Sequence, residues 1–464
     1  MPAGRWDIPQ GRKVNYWQRL SPPQLFVGSF GFLVVIGTVG LKLLPGLYQN
    51  EPLGWLDVAF MATSAVCVTG LAVIDIAAHF TMLGQAFLLL LIQLGGLGML
   101  AFTSLIILAL GRRLSVRAES LAVSSREAAP QIDTRRLTLD VVRFTLLLEG
   151  IGALILYGLW VPSFGWSGAV WPAIFHSVSA FCNAGFSTFS DSLIGVRNSP
   201  AVLCMVMILI TAGGIGFLTM EEAYLKWSRR QVRGGARFSL HSRLVLWTSG
   251  ILTFGGCVLF LIFERNGCLV TMPLGDRICN ALFMSVTART AGFNTVDYAT
   301  VTDSGNFLTI LLMTIGGSPG STAGGLKTTT FAIIGLLAWS RFRSRETTSF
   351  GGRSIPEETV QRSVGLMVVA VGVAAIGVFA LAATEPLPTV EERFLGRVFE
   401  VASAFNTVGL TMGVTPQLSP AGRVTAIVLM FLGRVGPLTL AAALIMRRPP
   451  GGRFRYAYEE VVVG

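Results

Sequence analysis

The sequence is poor in charge. Only 13% of its 464 residues are Asp, Glu, Lys or Arg, about half the share of an ordinary soluble domain. Histidine (3) and cysteine (6) are also scarce. The charge deficit excludes a water-soluble chain of this length, which could not cover its surface with polar side chains. Disorder is excluded by the high apolar content, and a disulfide scaffold by the few cysteines. Beside His79, His176 and His241 no acid and nucleophile complete a catalytic set, so an enzyme is not expected. No small-residue cleavage site marks the first 23 residues, which hold Pro, Asp and Trp and read as a cytoplasmic lead-in. What the chain has instead is 52% hydrophobic residues, 53 glycines and a mean hydropathy of +0.65. That composition describes one large membrane domain.

The net charge of +11 comes in blocks. Arg5, Arg12, Lys13 and Arg19 form the first, and Arg112 to Arg143 the second. Lys226 to Arg243, Arg341 to Arg362, and Arg447 to Arg455 form the rest. The alternate loops carry Glu51, Asp57, Asp75, Asp191, Asp276, Asp297, Asp303, Glu385 and Glu391. This is the positive-inside pattern, which predicts a multi-pass protein with both termini in the cytoplasm and no nucleic-acid partner. Cys204 and Cys257 read as small core residues, and a disulfide between Cys268 and Cys279 is left open.

Apolar runs of about 20 residues, enough to cross a bilayer, occur near 24–45, 82–110, 142–162, 199–226, 244–264, 305–340, 365–384 and 421–446. Between alternate runs lie shorter segments near 55–66, 170–181, 277–288 and 394–405. Their endings align: Ser64-Ala65-Val66-Cys67-Val68-Thr69-Gly70, Ser179-Ala180-Phe181-Cys182-Asn183-Ala184-Gly185, Thr287-Ala288-Arg289-Thr290-Ala291-Gly292 and Ser403-Ala404-Phe405-Asn406-Thr407-Val408-Gly409. A second glycine cluster follows each, at Gly95, Gly213, Gly316 and Gly433. One unit used four times is implied. The expected fold is therefore an all-α integral membrane protein. Four units of transmembrane helix, pore helix, filter and transmembrane helix give eight spans in pseudo-fourfold array around a central pore. The repeats fall at 24–110, 142–226, 244–340 and 365–447, between a cytoplasmic segment at 1–23 and a cytoplasmic tail at 448–464.

A short helix that enters the membrane and returns as extended chain presents a row of carbonyls, which can replace the water around a cation. Glycine supplies the positive φ that turns successive carbonyls one way. The predicted lining is Val68, Thr69 and Gly70; Asn183, Ala184 and Gly185; Thr290, Ala291 and Gly292; Thr407, Val408 and Gly409. No carboxylate lies in these stretches, which favours a monovalent cation. Close helix packing explains one such glycine, but not four in register. For Gly95, Gly98, Gly213 and Gly216 the packing explanation is preferred.

The run from Gly316 to Thr330 interrupts the longest apolar segment, and its glycines and Pro319 cannot continue a helix. A gating loop at 316–327 is predicted, formed by Gly316, Gly317, Ser318, Gly320, Ser321, Thr322, Gly324, Gly325 and Lys327, with Arg434 at the same depth. A packed loop with no part in conduction is the alternative. Gly316-Gly317-Ser318-Pro319-Gly320 fits G-x-S-x-G but lies inside an apolar span, not a strand–turn–helix. Arg289 is expected to brace its pore helix, with Glu400 as a guessed partner.

These filters, the loop, and Phe431-Leu432-Gly433-Arg434-Val435-Gly436-Pro437-Leu438-Thr439 resemble the Trk/Ktr/HKT superfamily of K⁺ transporters, most closely its KtrB kind. The resemblance covers about 21–464. It implies a K⁺ uptake subunit of the bacterial inner membrane, with K⁺ held by filter carbonyls, Na⁺ dependence and no organic cofactor. It further implies a homodimer on a cytosolic KtrA-like ring whose ATP or ADP state controls the gate. The alternative is an alternating-access secondary cation transporter.

Overall fold

The computed structural model describes residues 22–98, 134–228, 238–385, 394–436 and 439. Most of the lead-in, Arg112 to Asp133, Arg229 to Arg237, the ends of the second and eighth expected spans and the tail at 448–464 lie outside the described residues.

The helices fall into four groups in chain order. The first holds α1 (Pro22–Leu43), α2 (Trp55–Val66), α3 (Ile76–His79) and α4 (Met82–Gly98). The second holds α5 (Thr134–Gly168), α6 (Val170–Phe181), α7 (Pro200–Ile215) and α8 (Phe217–Ser228). The third holds α9 (Leu240–Phe263), α10 (Leu274–Thr287), α11 (Asp303–Thr314) and α12 (Thr328–Phe342). The fourth holds α13 (Glu357–Thr384), α14 (Phe394–Phe405) and α15 (Pro420–Val435). A small antiparallel hairpin, β1 (Ser349–Phe350) with β2 (Arg353–Ser354), precedes it, a departure from the purely helical expectation. Gly351 and Gly352, both at positive φ, make its turn possible.

Among the described residues, α1, α5, α9 and α13 are long and apolar enough to cross a bilayer. Their faces leave Phe32, Ile251, Phe254 and Phe379 more than 60% exposed, which suits lipid rather than water. The helices expected as second spans are shorter. α11 has 12 residues and α15 has 16. α7 and α8 are long and apolar enough to cross only as a pair bent by 103° at Gly216. Among the described residues, the eight expected spans thus correspond to four long helices and four shorter or broken ones, the ends of the second and eighth lying outside the described residues. Gly216 combines a bend with the packing role expected of it: its φ of 92° ends α7, and a Cβ there would stand 2.6 Å from Pro319 O.

The short helices α2, α6, α10 and α14 occupy the interior. From Phe60 to Val66 every residue of α2 is buried, and α14 is buried from Phe399 to Phe405. At 1.5 Å per residue such a helix reaches only part way across a bilayer. Each packs on the long helix before it: α1 on α2, α5 on α6, α9 on α10, α13 on α14. The following helix reaches onward, α7 to α10, α11 to α14, and α15 back to α2, so the four groups close in a ring. The ring is stitched where groups meet. Trp171 Nε1 donates to Gln85 Oε1 at 2.6 Å, Asn280 Nδ2 to Arg197 O at 2.9 Å, and Arg423 pairs with Asp57.

Candidate functional site

At the end of each interior helix the chain turns back in the same conformation. Val68, Asn183, Thr290 and Thr407 lie at φ of 55°, 59°, 67° and 51°, and the glycine two residues on is positive in all four, at 95°, 69°, 83° and 96°. The residue between them is not in the left-handed region. Alternating φ signs send successive carbonyls to one side of the strand. The amides are tied the other way: Thr69 N, Ala184 N and Val408 N each donate at 2.8 Å to the carbonyl of Ser64, Ser179 and Ser403, and Ala291 N to Thr287 O at 3.0 Å. This explains the Ser/Thr-Ala signature. Its hydroxyl also engages the returning strand, as Ser403 Oγ accepts from Gly409 N at 3.1 Å and Thr287 Oγ1 donates to Phe293 O at 2.6 Å. With donors tied back, the carbonyl oxygens are left for a common axis.

The four strands meet in cyclic order. A Cβ on Gly70 would overlap Ala184 O, one on Gly292 would overlap Val408 O, and one on Gly409 would overlap Thr69 O. On Gly185 it would stand 2.8 Å from Ala291 O. Only glycine fits where its neighbour's carbonyl approaches this closely. Val68, Thr290 and Thr407 are β-branched residues held in the left-handed region, which costs about 1–3 kcal/mol each. The hydroxyls of Thr69, Thr290 and Thr407 are buried without a partner. Buried polar atoms of that kind ordinarily have an ion or water beside them.

Beneath the strands, Gly95, Gly213 and Gly433 face the last carbonyl of the interior helix of their own group. A Cβ on each would overlap Val66 O, Phe181 O and Phe405 O respectively. The packing role expected of Gly95 and Gly213 is thus located, whereas Gly98 has only Phe30, at 3.7 Å. In the third group Gly316 faces Gly324 O, and the chain leaves helical geometry until Thr328.

That stretch is buried and anchored to the other groups. Ser318 N donates to Gly214 O at 2.9 Å, and Phe217 N to Gly320 O at 2.9 Å. Thr322 Oγ1 donates to Phe181 O at 3.1 Å. Gly317 O accepts from Thr328 N at 3.1 Å, and Ser318 Oγ meets Thr328 Oγ1 at 2.9 Å rather than any histidine. Gly324 and Gly325 lie against Thr407 and Asn406. Ser321 is 1% exposed and its hydroxyl has no partner. Lys327 Nζ folds back to Ala323 O at 2.7 Å. Arg434, 1% exposed, donates to Thr322 O and, at 2.9 Å, to Gly95 O. One guanidinium therefore pins the loop to α4 and α15, with no carboxylate bonded to it among the described residues.

Two sequence expectations fail. Arg289 does not meet Glu400. It reaches Ser249 Oγ at 3.1 Å and Thr253 Oγ1 at 3.4 Å on α9, while Glu400 accepts from Thr411 and, at 2.8 Å, from Thr415. Helix facing, which spacing along the chain does not reveal, separates them. Cys204 is exposed rather than in the core, because it lies on the outward face of α7. The disulfide left open between Cys268 and Cys279 is not formed: both are free. Sequence reasoning also passed over Glu149, buried behind the second strand, where Gln93 Nε2 donates to it at 3.0 Å and Cys182 Sγ lies 3.4 Å from Gln93 Oε1.

A ring of backbone carbonyls inside a bundle of membrane helices defines a class: membrane proteins that pass small cations. The comparisons narrow it. Residues 31–456 match the family described as TrkH, cation transport protein. The chain is 37% identical to Ktr system potassium uptake protein B of Bacillus subtilis over 460 residues, covering 98% of this chain and 99% of that one. It is 36% identical to the potassium/sodium uptake protein NtpJ of Enterococcus hirae, covering 97% and 99%. The crystal structure of the potassium transporter TrkH from Vibrio parahaemolyticus superimposes with a TM-score of 0.73 at 20% identity, over 94% of this chain and 87% of that one. The chain belongs to the TrkH family of cation transport proteins, whose members similar to it are potassium uptake transporters and not enzymes.

Proposed function

We propose that this chain is the pore-forming subunit of a Ktr-type K⁺ uptake system in the bacterial inner membrane. Its four helix groups act as repeats of one unit. The carbonyls of Val68–Gly70, Asn183–Gly185, Thr290–Gly292 and Thr407–Gly409 strip and hold K⁺. What supports this most is the cyclic closure of four glycines around one axis, each strand with the same φ alternation and its amides tied behind. Neutral dipoles suit a monovalent ion that must also leave.

The loop from Gly316 to Lys327 gates the path, and Arg434 holds it shut by its bond to Thr322 O. A buried cation in a membrane protein is costly and serves a purpose there. The chain works as a homodimer with both termini cytoplasmic, on a KtrA-like ring that reads ATP and ADP, and Na⁺ promotes uptake. The names of relatives, Ktr system potassium uptake protein B and potassium/sodium uptake protein NtpJ, favour a part in a Ktr system and a part for Na⁺.

The test is uptake of K⁺ and Na⁺ by purified protein in liposomes, with and without the cytosolic ring. The expected result is K⁺-selective flux that the ring raises with ATP. Electroneutral exchange that saturates without K⁺ preference would instead support alternating access.

A further inference from the structure

We propose a binding site for an anionic glycerophospholipid where α8, α9 and the β1–β2 hairpin meet. Lys226, Phe238, Arg243, Leu246, Trp247 and Gly351 line a cleft of about 540 Å³. Lys226 lies over the Phe238 ring at 4.2 Å and Arg243 over the Phe350 ring at 5.9 Å. Arg243 Nη1 also reaches Gly351 O at 3.5 Å. Neither cation has a carboxylate partner among the described residues. Glu222, one turn before Lys226 on α8, accepts from Ser239 N at 3.1 Å, and His241 stands beside it in the first turn of α9. Two cations facing one cleft, with the local carboxylate already bonded, fit a phosphodiester.

The surface running away from the cleft identifies the rest of the ligand. Trp247, Ile251, Phe254 and Val258 form one stripe along α9 and are 63%, 65%, 69% and 55% exposed. Their spacing of 4, 3 and 4 residues follows one helix face from Arg243 toward mid-membrane. Trp247 occupies the interfacial position in which indole is favoured. A free phosphate would use the cations and leave this stripe idle. A phospholipid uses both, with its headgroup at Lys226 and Arg243 and an acyl chain on the stripe. Its leaflet rests on the orientation proposed above, but binding does not.

The test uses the full chain in detergent micelles, with phosphatidylglycerol or phosphatidylcholine carrying dibrominated acyl chains as quenchers of tryptophan fluorescence. Phosphatidylglycerol should quench more strongly, and the excess should vanish in Trp247→Phe. Lys226→Gln and Arg243→Gln should each weaken the phosphatidylglycerol preference roughly fivefold. Arg243→Lys should keep most of it, and Arg362→Gln, a cation elsewhere on α13, should keep all of it. Elution volume and melting temperature control for folding. Equal quenching by both lipids, or an excess that survives in the double glutamine variant, overturns the proposal. So does loss of the excess on adding inorganic phosphate, which would assign the cleft to a free anion. Unchanged lipid preference with lost binding of a cytosolic partner would assign it to a protein instead.

Discussion

The strands carrying Gly70, Gly185, Gly292 and Gly409 are nearly interchangeable, and the helices directly beneath them are not. In the strands, one φ pattern and one set of backward hydrogen bonds occur four times, although the side chains differ. Beneath them, Gly95, Gly213 and Gly433 let a helix touch the last carbonyl of an interior helix, but at Gly316 the partner is the chain's own loop. Among the described residues, symmetry is kept in the strands, and the helix glycine beneath them changes partner in the third group. On the proposed reading, the difference teaches how selection and control can be built from the same unit: the first would use four equal contributions, and the second one that departs.

The largest effects should come from breaking the equality of the strands. Gly70→Ser, Gly292→Ser and Gly409→Ser each place a Cβ against a neighbouring carbonyl at positive φ. Forcing a left-handed conformation on an L residue costs about 1–2 kcal/mol before any clash is counted. K⁺ preference over Na⁺ in competitive uptake should fall about tenfold or more, with the protein still folded. Gly185→Ser should be mildest, since its Cβ keeps 2.7 Å from the nearest atom, Gly292 Cα. Equal selectivity in all four variants and wild type would remove the filter reading.

Next comes the odd quarter. Deleting Gly317–Gly325 should raise K⁺ flux and make it less dependent on the regulatory ring. Arg434→Gln should do the same to a smaller degree, because it frees Thr322 O and Gly95 O. Lys327→Gln should change flux less, since Lys327 bonds only within its own loop. Unchanged flux in the deletion discards the gate.

Smaller effects sharpen the contrast between the helix glycines. Gly213→Ala and Gly433→Ala should lower the melting temperature in detergent, by about 1–3 kcal/mol of overpacking strain. Gly316→Ala would press on the loop's own Gly324 O, so it should alter flux more than stability. Gly98→Ala should be nearly silent, with no atom closer than 3.7 Å.

Much of this was legible in the residues. The segments expected near 55–66, 170–181 and 394–405 coincide with α2, α6 and α14, and the one near 277–288 with α10 at Leu274–Thr287. Short apolar stretches bounded by Ser/Thr-Ala and glycine are strong signals because four copies reinforce each other. The bend at Gly216 was not legible, because 199–226 is unbroken in hydropathy and a glycine announces neither hinge nor seam. Nor could residue type reveal that Val68 and Thr407 adopt positive φ, which β-branched side chains disfavour. That strain is imposed by the pore helix behind and the neighbouring strand in front. The partners of Arg289 depend on which way α9 and α14 face, a tertiary fact.

One experiment reaches the central claim directly: an anomalous difference map from crystals grown with Tl⁺ or Rb⁺ in place of K⁺. Peaks should lie on the axis enclosed by the carbonyls of Thr69, Ala184, Ala291 and Val408. Heavy-ion density that avoids this axis while occupying other parts of the bundle would contradict the account.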